Sequence, residues 1–153
     1  MYVILIVVQT SFYASGFLYN LKTHQILLLQ SKKNDDLQPC WSMLGGDSKD
    51  GEDAQIAFAR IVSKQLDIAI KPKNIYPIYD YFHNTYNKTH YVFYAEVKNI
   101  KRISDLKKGI LSWFTFGEIQ KLPFTRQTKQ DIIVGQRVID AKWRNDNELK
   151  ETS

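Results

Sequence analysis

The stretch that most constrains the fold is residues 44–68, where two adjacent glycines lead through a polar turn into an uninterrupted helical pattern. Gly45 and Gly46 permit backbone geometries, and close approach by a ligand, that other residues resist. Apolar residues then recur at three- and four-residue steps with no Pro or Gly between them, which predicts about four turns of helix. Asp53 stands at the predicted start, where an acid suits the positive end of the helix dipole. The stretch therefore predicts a loop and a helix that face one pocket.

The spacing of this stretch resembles the Nudix box, the signature of the MutT-like Nudix hydrolase family. In the family pattern, a glycine is followed after five residues by Glu, and after seven more by Arg-Glu, an aliphatic residue, any residue, Glu-Glu, any residue, Gly and another aliphatic residue. The positions that match this pattern are Gly46, Glu52, Arg60, Val62 and Ile68. The positions that depart from it are Ile61 at the first helix glutamate, Lys64 and Gln65 at the glutamate pair, and Asp67 at the late glycine. The frame of the box is present, but its metal-binding glutamates are replaced.

The resemblance implies an α/β fold of the Nudix type, an α/β/α sandwich with a mixed β-sheet between the box helix and a C-terminal helix. Apolar segments agree with this and predict strands at residues 12–19, 25–30, 75–82, 90–97 and 111–115, and a last helix at 128–141. At 153 residues the chain has the size of one domain. We assign residues 1–141 to that domain and 142–153 to a polar C-terminal tail. The apolar opening at residues 1–9 predicts a buried strand, because it lacks the features of a signal peptide or membrane span.

The replaced glutamates bear directly on catalysis. Positions i, i+3 and i+4 share one face of a helix, so Ile61, Lys64 and Gln65 converge where the family presents three carboxylates. In the family these carboxylates hold Mg²⁺ or Mn²⁺, which need several oxygen ligands. One amide oxygen and a cation do not supply them, so no cofactor is expected. Either metal belongs only to an enzymatic alternative in which Glu52, Glu96 or Glu118 is catalytic and recruits it, with Glu52 the possible ligand within the box.

Glu52 and Arg60 also have structural roles in the family, where their counterparts order the loop and form ion pairs. We expect Arg60 to pair with Glu52. The candidate ligand-binding residues are Gly45, Gly46, Arg60, Lys64 and Gln65. Lys64 is the most informative of them, because an ammonium can contact phosphate directly as a point charge. The competing interpretation is a solvated surface lysine, because long charged side chains are usually exposed.

Residues outside the box give weaker signals. Aromatic residues of the middle strands could stack on a base, although strand aromatics more often belong to the core. His24, His83 and His90 lie in or beside predicted turns without metal-ligand spacing, and we interpret each as a surface residue. The single Cys40 excludes an intramolecular disulfide, which favours a reducing, cytoplasmic location.

The formal charge of +5 suits an anionic partner such as a nucleotide, and is compatible with weak RNA contact. No membrane partner is expected. Three hypotheses stay open: a Nudix-type domain that binds a nucleotide or another diphosphate-linked ligand with hydrolysis lost or strongly reduced, a divergent metal-dependent pyrophosphohydrolase, and a protein- or RNA-interaction domain on the same scaffold. The sequence predicts neither the ligand's identity nor the oligomeric state.

Overall fold

A computed structural model describes residues 11–31, 39–98, 100, 103 and 109–151. The predicted strand at residues 1–9 lies outside these residues, as does most of the charged connector at 98–108. The elements, in chain order, are β1 (Phe12–Asn20), β2 (Gln25–Ser31), β3 (Trp41–Ser42), β4 (Leu44–Asp47), α1 (Ala54–Leu66), β5 (Ile75–His83), β6 (Lys88–Val97), β7 (Gly109–Thr115), α2 (Phe116–Ile119) and α3 (Arg126–Glu151). A short 3₁₀ turn, Pro72–Asn74, precedes β5.

Strand β1 organises the sheet. It pairs in parallel with β6 along its whole length, from Phe12 opposite Thr89 to Asn20 opposite Val97. Its other edge pairs antiparallel with β4 at the start of the strand and with β2 at its end. Beyond these, β5 pairs with β6, and both β3 and β7 pair with β2, all antiparallel. The sheet is therefore mixed, and one edge of β1 is shared between β2 and β4.

Alternate residues of the strands point to two separate cores, because successive side chains of a strand face opposite sides of the sheet. On one face, Ala14 and Leu18 pack with Phe58 of α1. On the other, Phe17 packs with Tyr94 and with Ile132 of α3. The predicted sandwich, with the sheet between the box helix and the C-terminal helix, is confirmed.

The box helix begins and ends as its sequence indicates. The carboxylate of Asp53 accepts a hydrogen bond of 2.9 Å from the amide of Ile56, which caps the first turn. Asp67 ends the helix in the left-handed conformation, with φ at 54°. Glycine is the residue best suited to that conformation. Asp67 therefore adopts the helix-ending geometry at the position where the Nudix pattern has its late glycine.

Helix α3 is longer than predicted. It runs from Arg126 to Glu151, so that the stretch predicted as a polar tail from residue 142 is helical through Glu151. The polar composition suggested a tail, but no Pro or Gly follows Gly135 to interrupt the helix. Lys142 connects this extension to the sheet, because its ammonium forms an ion pair with Glu96 and lies 4.0 Å from the ring centroid of Tyr76.

Gly135 sets the spacing between α3 and the sheet. A β-carbon at this position would lie 2.9 Å from Cδ1 of Ile78 and 3.0 Å from the ring of Phe17. A larger residue would therefore require Ile78, Phe17 or the helix itself to shift. Of the helices that the structure describes, none is both long and apolar enough to cross a membrane.

Candidate functional site

The two box glycines lie in a strand and face opposite sides of it. Both belong to β4, where Gly45 is opposite Ser15 and Gly46 is opposite Ala14. A β-carbon on Gly46 would lie 3.3 Å from two side-chain carbons of Ile61. One on Gly45 would lie 2.6 Å from the hydroxyl oxygen of Tyr13, on the other face. The predicted ligand-facing loop is therefore strand at these positions, and each glycine makes room for a neighbouring side chain.

Two predicted ligand-binding residues of α1 contact the edge of β4 that faces away from β1. The Nη2 of Arg60 donates to the carbonyl of Asp47 at 2.9 Å, and the Nε2 of Gln65 donates to the carbonyl of Gly45 at 3.2 Å. These carbonyls are two residues apart and point in the same direction. Arg60 and Gln65 thus fix the box helix to the strand. The Oε1 of Gln65 is buried and has no hydrogen-bond partner among the described residues.

Glu52 orders the turn before the helix. Its Oε2 accepts from Nε of Arg60 at 2.7 Å, and its Oε1 accepts from Nη2 of Arg60 at 2.9 Å and from the amide of Lys49 at 2.6 Å. The hydrogen bond from Arg60 is the main cause that lowers the pKa of Glu52, and the bond from Lys49 adds to it. The expected Glu52–Arg60 ion pair is confirmed, and it uses both oxygens of the carboxylate.

The positions of α1 that carry glutamate in the Nudix pattern supply no carboxylate here. Ile61 is 4% exposed and packs in the core, whereas Lys64 is exposed to solvent. Within the described part of the chain, no group of three or more His, Cys, Asp or Glu side chains is placed to hold a metal ion. Mg²⁺ or Mn²⁺ needs several oxygen ligands. The residues on this face of the helix do not fit such an ion.

The structure does not bring the other two candidate carboxylates to Glu52. Glu96 lies opposite Tyr19, and Tyr19 is six residues along β1 from Tyr13. This separation places Glu96 roughly 20 Å from the end of β1 that pairs with β4. Its carboxylate pairs with Lys142 of α3, on the opposite face from α1. Glu118 forms a capping box with Thr115 at the start of α2. Each of these acids stabilises a local structure away from the box.

A different site lies on the α3 face of the sheet. A cavity of about 700 Å³ opens between the ends of the central strands and the start of α3. We call it the sheet cleft and define it by the six residues Tyr13, Ser15, Tyr81, Lys88, His90 and Asp131. Strand pairing explains the convergence, because His90 is opposite Tyr13 on one side and opposite Tyr81 on the other.

A chain of hydrogen bonds forms the floor of the sheet cleft. Nε2 of His90 lies 2.7 Å from the hydroxyl oxygen of Ser15, and Nδ1 of His90 lies 2.7 Å from that of Tyr81. The ring of Tyr81 also contacts that of Tyr79, and Tyr79 donates a hydrogen bond to the carboxylate of Asp131. A neutral imidazole has one donor and one acceptor nitrogen, so His90 can link Ser15 and Tyr81 in either tautomer.

Burial sets the protonation of this floor. It lowers the pKa of His90 to about 4, with a smaller contribution from nearby His83, so His90 is neutral at neutral pH. Burial raises the pKa of Asp131, against the effect of its hydrogen-bond donors, and raises the pKa of both Tyr79 and Tyr81. The interpretation of His90 as a surface residue is wrong, because its ring is partly buried against those of Tyr13 and Tyr81 and is hydrogen bonded at both nitrogens.

Aromatic and charged groups complete the site. The ring of Tyr13 meets that of His90 edge-on, with 4.8 Å between centroids, and Tyr86 lies at the rim with 70% of its surface exposed. At the mouth, Nζ of Lys88 lies 3.1 Å from Oδ1 of Asp47. The cleft therefore combines ring surfaces, hydrogen-bonding groups and an ion pair at its mouth, a composition typical of small-molecule sites.

Sequence reasoning missed most of these residues, although a signal was present. Polar side chains occupy alternate positions, Tyr13 and Ser15 in one strand, Lys88 and His90 in another. Such alternation places polar groups on the sheet face that should be core. Asp131 was a second signal, since it directly precedes an apolar pair within the predicted helix.

Neither a protein-family model nor the sequence of a curated protein matches the chain. Solved structures do match it. A structure from a study of MutT from Aliivibrio salmonicida and Vibrio cholerae has a TM-score of 0.66 at 13% identity, over 85% of this chain and 98% of the other. The NUDIX domain of Shewanella oneidensis NrtR, complexed with ADP ribose, gives 0.64 at 12%, over 84% and 87%. A Caenorhabditis elegans Ap4A hydrolase binary complex gives 0.64 at 15%, over 84% and 98%.

These similarities span most of the chain, and at such identities they establish the fold alone. They agree with the order of the elements, in which the box helix and α3 cover opposite faces of a mixed sheet. The chain thus has the Nudix fold that its box spacing predicted.

Proposed function

We propose that the protein binds a nucleotide or another diphosphate-linked ligand in the sheet cleft, with pyrophosphohydrolase activity lost or strongly reduced. The observation that carries this proposal is the contrast between the two faces of the sheet. The α3 face has a cavity of about 700 Å³ with ring surfaces and hydrogen-bonding groups. The α1 face presents Ile61, Lys64 and Gln65 in place of metal-binding carboxylates. Binding is supported by the first face, and loss of metal-assisted hydrolysis by the second.

The chemistry of the cleft suits the base of a nucleotide. A base needs ring surfaces for stacking and a few fixed donors and acceptors for orientation. Tyr13 and Tyr86 supply rings, and Ser15 supplies a hydroxyl that is held in place by its hydrogen bond with His90. Gln127 donates to Asp131 at 2.9 Å at the start of α3, which orients that wall of the cleft. One structure with this fold is a complex with ADP ribose and another is that of an Ap4A hydrolase, which supports a nucleotide-type ligand.

The enzymatic alternative needs a carboxylate set that the described residues do not provide. Glu52 is held by Arg60 and the amide of Lys49, so it would have to leave these partners to bind a metal. The interaction alternative rests on the formal charge of +5, which would favour weak contact with RNA. We retain it as the second candidate, and a cytoplasmic location as a further prediction.

A thermal-shift panel separates these functions, because a ligand that binds the native state raises the unfolding temperature by mass action. The panel contains nucleosides, nucleoside diphosphates, ADP ribose and dinucleotides, each with excess EDTA and with Mg²⁺. Stabilisation in EDTA supports the proposal. Stabilisation only with Mg²⁺, accompanied by release of phosphate, would contradict it and favour the enzyme. Stabilisation by RNA oligonucleotides alone would favour the interaction domain.

A further inference from the structure

We propose that Lys88 is the anion contact of the sheet cleft and that the carboxylate of Asp47 occupies this contact in the free protein. The inference rests on the proposed function and adds to it a specific means of recognising the phosphate of the ligand. It also separates the phosphate position from Lys64 and from the box helix. The ion pair at the mouth of the cleft carries the argument.

The two residues of this ion pair lie on opposite edges of β1, near the start of that strand. Asp47 ends β4 and lies opposite Tyr13 on one edge of that strand, while Lys88 begins β6 on the other edge. Because paired residues share a face, both side chains lie on the α3 side of the sheet, where both line the cavity. Their contact at 3.1 Å therefore crosses the mouth of the cleft.

The charges around the cavity favour Lys88 as the anion contact. Among the described residues that line it, Lys88 is the only Lys or Arg, and the acids are Asp47 and Asp131. Asp131 is buried and hydrogen bonded to Tyr79 and Gln127. A phosphate that enters the cleft thus has one cation available, which is already paired. Without that cation, transfer of the anion from water would be unfavourable.

Asp47 is placed to give up the contact easily. Its side chain is 68% exposed, whereas that of Lys88 is 32% exposed. Exposed ion pairs contribute little to stability, so breaking this one is a small cost. The backbone of Asp47 stays fixed during the exchange, because its carbonyl accepts from Arg60 and its strand is paired with β1. The carboxylate can therefore rotate away while the strand remains in place.

Two substitutions with opposite expected effects test the exchange. The probes are ADP, GDP, CDP and UDP, with the matching nucleosides, titrated by calorimetry in EDTA at two salt concentrations. Lys88→Met should weaken diphosphate binding about 10- to 100-fold, the range for a lost charge-assisted hydrogen bond. Asp47→Asn should strengthen it by up to about fivefold, since the competing exposed pair is weak. Lys64→Met is the matched control and should leave affinity unchanged.

The nucleosides distinguish failure of this inference from failure of the proposed function. Lys88→Met should remove the advantage of the diphosphate over the nucleoside, together with the salt dependence of that advantage. If a diphosphate and its nucleoside bind wild type equally, or if Lys88→Met and Asp47→Asn leave that ratio unchanged, the inference is wrong although the cleft binds nucleosides. If no probe binds at millimolar concentration, the proposed function fails for these ligands, and the inference with it.

Discussion

Ile61 packs directly beneath Gly46, so closely that a β-carbon on the glycine would lie 3.3 Å from both Cγ1 and Cδ1 of the isoleucine. In the Nudix pattern, the position of Ile61 carries the first glutamate of the helix. Here it is 4% exposed and belongs to the core between α1 and the sheet. An apolar side chain in this contact links β4 to the box helix, at the point where the family pattern places a metal ligand.

Truncation of Ile61 should therefore lower the free energy of unfolding. We expect Ile61→Ala to cost about 2 to 4 kcal/mol, because it removes buried carbons and leaves a cavity beneath the strand. Urea titration measures this loss. A loss below about 0.5 kcal/mol would mean that the side chain lies in an open cleft, since substitutions on the surface have effects of that size.

We expect the residues of the box to support no hydrolysis. Glu52 is held by Arg60, and no carboxylate occupies position 61, 64 or 65. We expect Mg²⁺-dependent release of phosphate or nucleoside monophosphate from diphosphate compounds to be no greater for wild type than for Glu52→Gln. Turnover by wild type that disappears in this variant would contradict the loss of activity. Folding of the variant is checked by circular dichroism, because the substitution also weakens an ion pair.

His90 should make stability depend on pH. Its pKa is about 4 in the folded protein, and about 6.5 in an unfolded chain. Between these values the unfolded state binds more protons, so the free energy of unfolding falls as pH decreases from about 6.5 toward 4, by up to about 1 kcal/mol per unit. His90→Gln should flatten this slope. His24→Asn, on an exposed turn, is the control and should keep it. Equal slopes for wild type and His90→Gln would show that His90 is not held neutral.

Lys64 should behave as a surface residue. It is exposed, and the positions against the two glycines are taken by Ile61 and Gln65. We expect Lys64→Met to change neither the unfolding temperature nor the affinity for a nucleoside diphosphate in EDTA. A loss of affinity of about 1.5 to 3 kcal/mol, the range for a charge-assisted hydrogen bond, would instead place the phosphate at the box helix.

The sequence predicted what depends on local patterns. The helical period, the cap at Asp53 and the Glu52–Arg60 pair involve residues close in the chain, and the structure confirms them. The cleft was not predicted, because Ser15 and His90 are 75 residues apart and meet only through parallel pairing of β1 with β6. The sequence predicts a loop at the two glycines because it contains no local signal that β4 pairs with β1.

The measurement that tests the central claim most directly is an NMR titration of the isotope-labelled protein with a nucleoside diphosphate in excess EDTA. We predict amide shifts concentrated at Ser15, Tyr81, His90 and Asp131, with no further change when Mg²⁺ replaces the chelator. Shifts that require Mg²⁺ and concentrate at Glu52 and Lys64 would contradict metal-independent binding in the sheet cleft.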